Sequence, residues 1–289
     1  MKIFTRFLPE AKYKALIEDL PKFKNSPITI FNDYLPTQEE LSINPINILV
    51  LNEPDEFFGH HSYAVQNSSK FGIILTTNQA LLEGLPNAAL HHSAEKKLDD
   101  DYIQSFAGNT ERVFEVTFLR GILDLVEGHK LRHKLFALED KITIPHTFWP
   151  VLDDFNWETK SRPGDDQDGN SIWGEGKKQI WNRKSMFHVV IENTKHQNFY
   201  TEKIQDCFYT KTVPVYWGCP NIGEFWDDRG IITFNTEEEA IEAINKLTPE
   251  DYYSRLPFIQ NNYELALEQG CFYKRLELFL EQLITLNNL

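Results

Sequence analysis

Between Phe187 and Pro220 the chain reads FHVVIENTKHQNFYTEKIQDCFYTKTVPVYWGCP, a segment whose residue types suit an anion and a sugar. An apolar strand runs into the polar Glu192-Asn193-Thr194, a loop follows, and Asn198 or Thr201 can cap a helix that carries Glu202 and Lys203 in its first turn. At such a helix start, unpaired backbone N–H groups, the helix dipole and an ammonium converge on one anion. Glu202 beside it can accept hydrogen bonds from sugar or ribose hydroxyls. The next strand, VPVYW, ends at Gly218, where backbone can approach a ligand closely. Two basic islands accompany this segment: Gly128–Phe136, with Lys130, Arg132 and Lys134, and the cluster Lys177, Lys178, Arg183 and Lys184. Arg and Lys in such islands suit a diphosphate, although a solvated helix face explains each island equally well.

These residues need a framework that aims them. Short β-rich runs occur at Pro27–Phe31, Ile46–Leu51, Phe71–Thr76, Val113–Phe118, Lys141–Ile144, Phe187–Ile191, Val213–Trp217 and Ile231–Phe234. Several are apolar throughout, as strands covered on both faces of a parallel sheet are. Helical patterns fall at Glu10–Leu20, Asn78–Gly84, His129–Leu138, Thr201–Tyr209, Glu237–Lys246, Pro249–Gly270 and Phe272–Leu286. The alternation predicts an α/β protein of two Rossmann-like domains, residues 1–106 and 107–270, facing each other across a cleft. Residues 271–289 form a final amphipathic helix expected to cross back onto the first domain. Charged Ser93–Asn109 separates the halves, and Ser161–Gly176, rich in Gly, Asp and Pro, reads as a loop.

The Phe187–Pro220 segment resembles the donor-binding motif of the α1,3-fucosyltransferases, glycosyltransferase family ten. There a strand ending Glu-Asn-Ser is followed by a Tyr-x-Thr-Glu-Lys-like helix start and a Val/Ile-Pro-Val/Ile-Tyr-x-Gly strand. The resemblance implies a GT-B-like fold, with donor binding in the second domain and acceptor binding in the first. It implies that Asn193, Glu202 and Lys203 contact a nucleotide sugar, Lys203 at the diphosphate, and that Glu192 holds the turn or the sugar. Thr201 stands at the capping position, and Thr194 replaces the usual serine. The family's aromatic hydroxyl falls at Phe199 here, so the contact either shifts to Tyr200 or is absent. Val113–Phe118 followed by GHKLRHKLF is similar to the strand and helix that supply a pyrophosphate-binding arginine, which singles out Arg132. INILVLNEPDEFFG resembles the turn that carries the family's general base. It assigns that role to Glu53, with Asp55 and Glu56 as alternatives and His60, His61 and Glu56 as acceptor-side candidates.

The implied reaction is an inverting transfer of a sugar, L-fucose from GDP-fucose, onto a glycan hydroxyl. One carboxylate takes the acceptor proton, and cations stabilise the departing diphosphate. No metal or other cofactor is expected: Asp153-Asp154, Asp165-Asp166 and Asp227-Asp228 are adjacent pairs in loops, not a framed DxD. An exostosin-like or viral-type enzyme using another donor, such as UDP-xylose, shares this chemistry. A non-catalytic nucleotide- or glycan-binding protein is the reading from another class.

Composition limits the partners. The chain has 289 residues and 29 Lys+Arg against 43 Asp+Glu, a net charge of −14. That charge disfavours nucleic acid and anionic membrane surfaces, while a local cationic site still accommodates one diphosphate. No apolar run approaches the ~18 residues of a spanning helix. The three cysteines form no CxxC, and the first residues lack a signal-peptide core, so the expectation is a cytoplasmic protein. The pairs His60-His61 and His91-His92 lack metal-ligand spacing and read as ordinary polar residues. Cys207 and Cys219 read as small buried hydrophobes, Trp173 as a sugar or base platform, and Glu237–Glu239 as an acidic first helical turn.

Overall fold

Strands buried on both faces need apolar residues at successive positions, and Ile46–Leu51 has them. The computed structural model describes residues 1–5, 23, 25–92, 94, 96, 98–108, 111–119, 121, 123–149, 180–269 and 275–281. The chain divides into two compact units: Met1–Glu95 with His196–Phe199 and Cys271–Leu289, and Lys96–Lys195 with Tyr200–Gly270.

The first unit holds strands β1 (Lys2–Thr5), β2 (Ile28–Asn32), β3 (Ile46–Leu51), β4 (Ile73–Thr76) and β5 (Ala88–Leu90), all parallel, in the order β1-β2-β3-β4-β5. Side chains alternate across the sheet. Ile28, Ile30, Ile48 and Val50 therefore enter one core with Leu276 and Leu280 of the helix at 275–281. Phe31, Leu49, Leu51 and Ile74 enter the opposite core with Leu41, Ala64, Phe71 and Leu81. The terminal helix thus packs back on the first unit, and Arg275 Nη2 donates to the carbonyls of His92 (2.9 Å) and Ala94 (2.6 Å).

The second unit holds β6 (Val113–Leu119), β7 (His146–Trp149), β8 (Ser185–Ile191), β9 (Val213–Trp217) and β10 (Ile232–Thr233), parallel, in the order β10-β9-β8-β6-β7. The chain leaves β6 toward one edge, then returns from β7 to β8 on the other side. This creates a switch point between β6 and β8, where open α/β sheets bind ligands at their carboxyl ends. The first sheet has no such reversal.

Lys141–Ile144 is not a strand. Glu139–Lys141 forms a 3₁₀ turn, and β7 begins at His146, after Pro145. Asn245 takes up the backbone of this stretch instead, accepting from Thr143 N–H and donating to the Lys141 carbonyl (both 2.8 Å). Within Ser93–Asn109 a helix, Asp100–Gln104, buries Ile103, and Phe106 is buried just beyond it. Lys211 Nζ reaches the Ala107 carbonyl at 2.8 Å, and the stretch belongs to the second unit from Lys96 onward. The Glu10–Leu20 helix, the Ser161–Gly176 loop with Trp173, Lys177, Lys178 and Cys271 lie outside the described residues. No helix among the described residues is long and apolar enough to cross a membrane.

Candidate functional site

At the carboxyl end of β8, Glu192 is fully buried and spends its carboxylate inside the protein. Oε1 accepts from Thr201 N–H (2.9 Å), Oε2 from Thr201 Oγ1–H (2.8 Å), and Lys203 Nζ stands 3.4 Å from Oε2. The Glu192 N–H donates to the Trp217 carbonyl at 2.9 Å. Thr201 is the N-cap of the helix Glu202–Tyr209, and its hydroxyl also receives Lys203 Nζ at 2.9 Å. Of the two capping candidates Thr201 is used, and Asn198 sits in a left-handed turn (φ 65°) before it.

A second helix, Glu127–Ala137, begins against the same turn. Gly128 N–H donates to the Asn193 carbonyl at 2.9 Å, and a Cβ at Gly128 would lie 1.8 Å from the Glu192 carbonyl oxygen. Only glycine permits that approach. One turn later, Arg132 Nη2 donates to the Ile191 carbonyl and to Asn193 Oδ1 (3.2 Å). Gly218 plays a related part at the end of β9: a Cβ there would meet Tyr216 Oη at 2.5 Å and Glu192 Cγ at 2.6 Å. The close approach expected at Gly218 is therefore made by the Glu192 side chain.

Two helix N-termini, Arg132 and Lys203 thus meet at the β6/β8 switch point, and neighbouring groups register their charge. Burial, then Arg132 and Lys203, push His129 down to about 4. Arg132 itself is enclosed enough that desolvation lowers it to about 10, against the pull of Glu192 and Glu202. Of the other predicted donor residues, Glu202 opens the second helix. Tyr200 is buried, its ring 5.5 Å from Phe225 and 5.7 Å from Trp226. The second basic island does not form an anion site among its described members. Arg183 is committed to buried Glu115, which Thr147 and Ser185 also bond; burial would raise that carboxyl, but these hydrogen bonds hold it low.

In the first unit, a cavity of about 470 Å³ opens at the carboxyl ends of β3 and β4, lined by Glu53, Glu56, His60, His61, Asn78 and His196 among others. Glu53 sits in the turn after β3, shaped by Asp33, whose Oδ1 accepts from the N–H groups of Asn52 (2.8 Å) and Glu53 (3.2 Å). Asp33 adopts φ 47°, a left-handed conformation that Asp tolerates. Asp55 is occupied in folding: its Oδ1 accepts the N–H of His61 (2.8 Å), in the first turn of the helix His60–Asn67. Glu56 faces His196, with Nε2 to Oε1 at 2.7 Å. His60 is buried, whereas the His61 side chain is about a third exposed.

Sequence reasoning missed His196 and Asp33, and it gave Thr76–Ala80 only as the end of a strand and the start of a helix. The signal for Asp33 is an Asn-Asp pair closing a strand. His196 sits in the loop within the Phe187–Pro220 segment, yet residues 196–199 belong to the first unit. Asn198 Nδ2 donates to Gln79 Oε1 (2.8 Å), and its carbonyl meets His92 Nδ1 (3.1 Å). Among the described residues no group of three or more His, Cys, Asp or Glu is placed to hold a metal ion.

No family model matches the chain. Over 64 residues, 21% of this chain and 13% of the other, it is 33% identical to the α-(1,3)-fucosyltransferase FucT of Helicobacter pylori. Among solved structures, an α1,3-fucosyltransferase aligns over 94% of this chain and 91% of its own, with a TM-score of 0.51 and 15% identity. The GDP-fucose complex of an α1,3-fucosyltransferase gives 0.50 and 13%, over 96% and 89%. TarM gives 0.54 and 11%, over 93% of this chain and 57% of its own. The chain therefore has the two-sheet GT-B fold of these glycosyltransferases, and the resemblance to the α1,3-fucosyltransferases extends from the donor-type motif to the whole framework.

Proposed function

We propose that the chain is an inverting glycosyltransferase that binds a nucleotide-diphospho-sugar, GDP-fucose, and transfers the sugar to a hydroxyl of a glycan acceptor. The observation that carries this reading is the convergence of Arg132, Lys203 and two helix N-termini on the Glu192-Asn193 turn at the β6/β8 switch point. Such an array stabilises the charge that grows on a departing diphosphate. Asn193 and Glu202 supply hydrogen-bonding groups to sugar or ribose hydroxyls, while Glu192, spent on Thr201 and Lys203, holds the array in place.

Glu53 is the base in this reading. Its carboxylate takes the acceptor hydroxyl proton as that oxygen attacks the anomeric carbon opposite the diphosphate. The new C–O bond forms as the sugar–phosphate bond breaks, and the nucleoside diphosphate leaves with the bonding pair. Asp55 accepts the His61 N–H and Glu56 meets His196; Glu53, in the turn after β3 and in the lining of the cavity, is the carboxylate at the position to which the resemblance points. The test is turnover of GDP-fucose with glycan acceptors: Glu53→Gln should lower kcat by about 10²–10⁴-fold and leave donor binding intact. Full activity in Glu53→Gln, with loss in Glu56→Gln, would move the base to Glu56.

A further inference from the structure

Two cations at the opposite end of the second sheet take no part in this chemistry. Arg112 immediately precedes β6, and Lys211 lies just before β9, roughly 20 Å along the strands from Glu192. The Arg112 guanidinium lies over the rings of Phe106 (5.7 Å) and Tyr252 (5.9 Å), and its Nη2 donates to the Thr210 carbonyl at 2.6 Å. Its Nε and Nη1 are buried, and the Tyr252 side chain is a hydrogen-bonding neighbour of the guanidinium. Lys211 Nζ donates to the Ala107 carbonyl at 2.8 Å and lies 5.0 Å over the Tyr263 ring. Neither cation has a carboxylate within ion-pair distance among the described residues. Burial lowers both pKa values; Tyr252 pulls Arg112 back up, and Arg112 lowers Lys211 further while Glu264 opposes this. Like charges this near each other with no ion-paired carboxylate are costly, and an anion lowers that cost.

Both residues line a cavity of about 870 Å³, together with Tyr252, the exposed Tyr253 and Glu111. We propose that this cavity binds a small, singly phosphorylated metabolite bearing a planar ring, its phosphate at Lys211 and Arg112 and its ring against Tyr253. An ammonium has three donors, and Lys211 spends one on Ala107, so two remain for direct contact while Arg112 supplies its field from beneath. With Glu111 in the lining and Glu264 acting on Lys211, little net positive charge remains, which suits a single phosphate better than a diphosphate. The proposal is independent of the donor site at the other end of the sheet.

Calorimetric titration of phenyl phosphate and inorganic phosphate into the full chain tests it, in a Lys203→Ala background in which the donor turn binds anions more weakly. The expected result is saturable binding of phenyl phosphate, tighter than inorganic phosphate. Lys211→Gln should weaken both by about tenfold or more, as loss of a charge-assisted bond does. Tyr253→Ala should abolish the advantage of the ring. Absence of saturable binding, or wild-type affinity in both Lys211→Gln and Tyr253→Ala, would overturn the assignment. So would binding seen in the native chain and lost in Lys203→Ala alone.

Discussion

Glu192 and Lys203 stand side by side in one motif, yet they do different work. The carboxylate is buried and bonded to the N-cap, so its role is to shape the turn. The ammonium is a fifth exposed and sits at the helix start. Lys203→Ala and Arg132→Ala should each weaken nucleoside diphosphate binding by about tenfold or more, read by calorimetry. Gly128→Ala should destabilise the chain by ~3 kcal/mol or more, because the new methyl meets backbone that a rotamer change cannot clear; a melting curve like that of the native chain would contradict the turn geometry. His129 supplies a pH signature. Arg132 and Lys203 help hold it near 4, so a bound diphosphate should raise it. Proton uptake then accompanies binding, and nucleotide affinity rises as the pH falls toward the new pKa. Calorimetry in buffers of differing ionisation enthalpy reads that uptake directly.

At the scale of elements, the strands and helices that carry the donor motif were legible because their patterns are local. Val213–Trp217 is apolar throughout, and Thr-Glu-Lys is a helix start with its cap in place. The Lys141–Ile144 run misled because its alternation ends at a proline, and the neighbouring strand forms after it. The short β1 and β5 escaped notice: KIFT is flanked by charge and AAL is only three residues long. His196 and Asp33 were illegible for another reason, since their partners lie 140 and about 20 positions away in sequence. The terminal helix also yields a prediction. Leu280 is fully buried in the core of the first sheet, so Leu280→Ala should cost about 2–5 kcal/mol in chemical denaturation. A change near zero would mean that the helix does not pack there.

Over the whole molecule, a charge of −14 sets the background against which one cationic turn operates. Charge counting disfavours polyanionic partners but says nothing of a site made by two helix ends and two side chains. The folded protein also keeps several histidines neutral: burial, first of all, lowers His91 to about 3 and His92 to about 4, with His129 near 4. The unfolded chain binds these protons below about pH 6.5, so stability rises with pH up to that point and falls away from pH 6.5 toward 3. Each pKa unit is worth about 1.4 kcal/mol. Melting temperatures between pH 4 and 8 should therefore drop steeply on the acid side, and a flat profile across that range would contradict the burial of these side chains.

Nucleotide recognition is the claim on which the account rests, and thermal unfolding tests it most directly, with GDP, UDP, GDP-fucose and UDP-xylose each added to the native chain and to Lys203→Ala and Arg132→Ala. The account predicts that GDP and GDP-fucose stabilise the native chain, by about 2.7 kcal/mol at a hundred times the dissociation constant, and that either substitution at the turn diminishes the shift. No shift with any nucleotide, or equal shifts in the native chain and both variants, would contradict it.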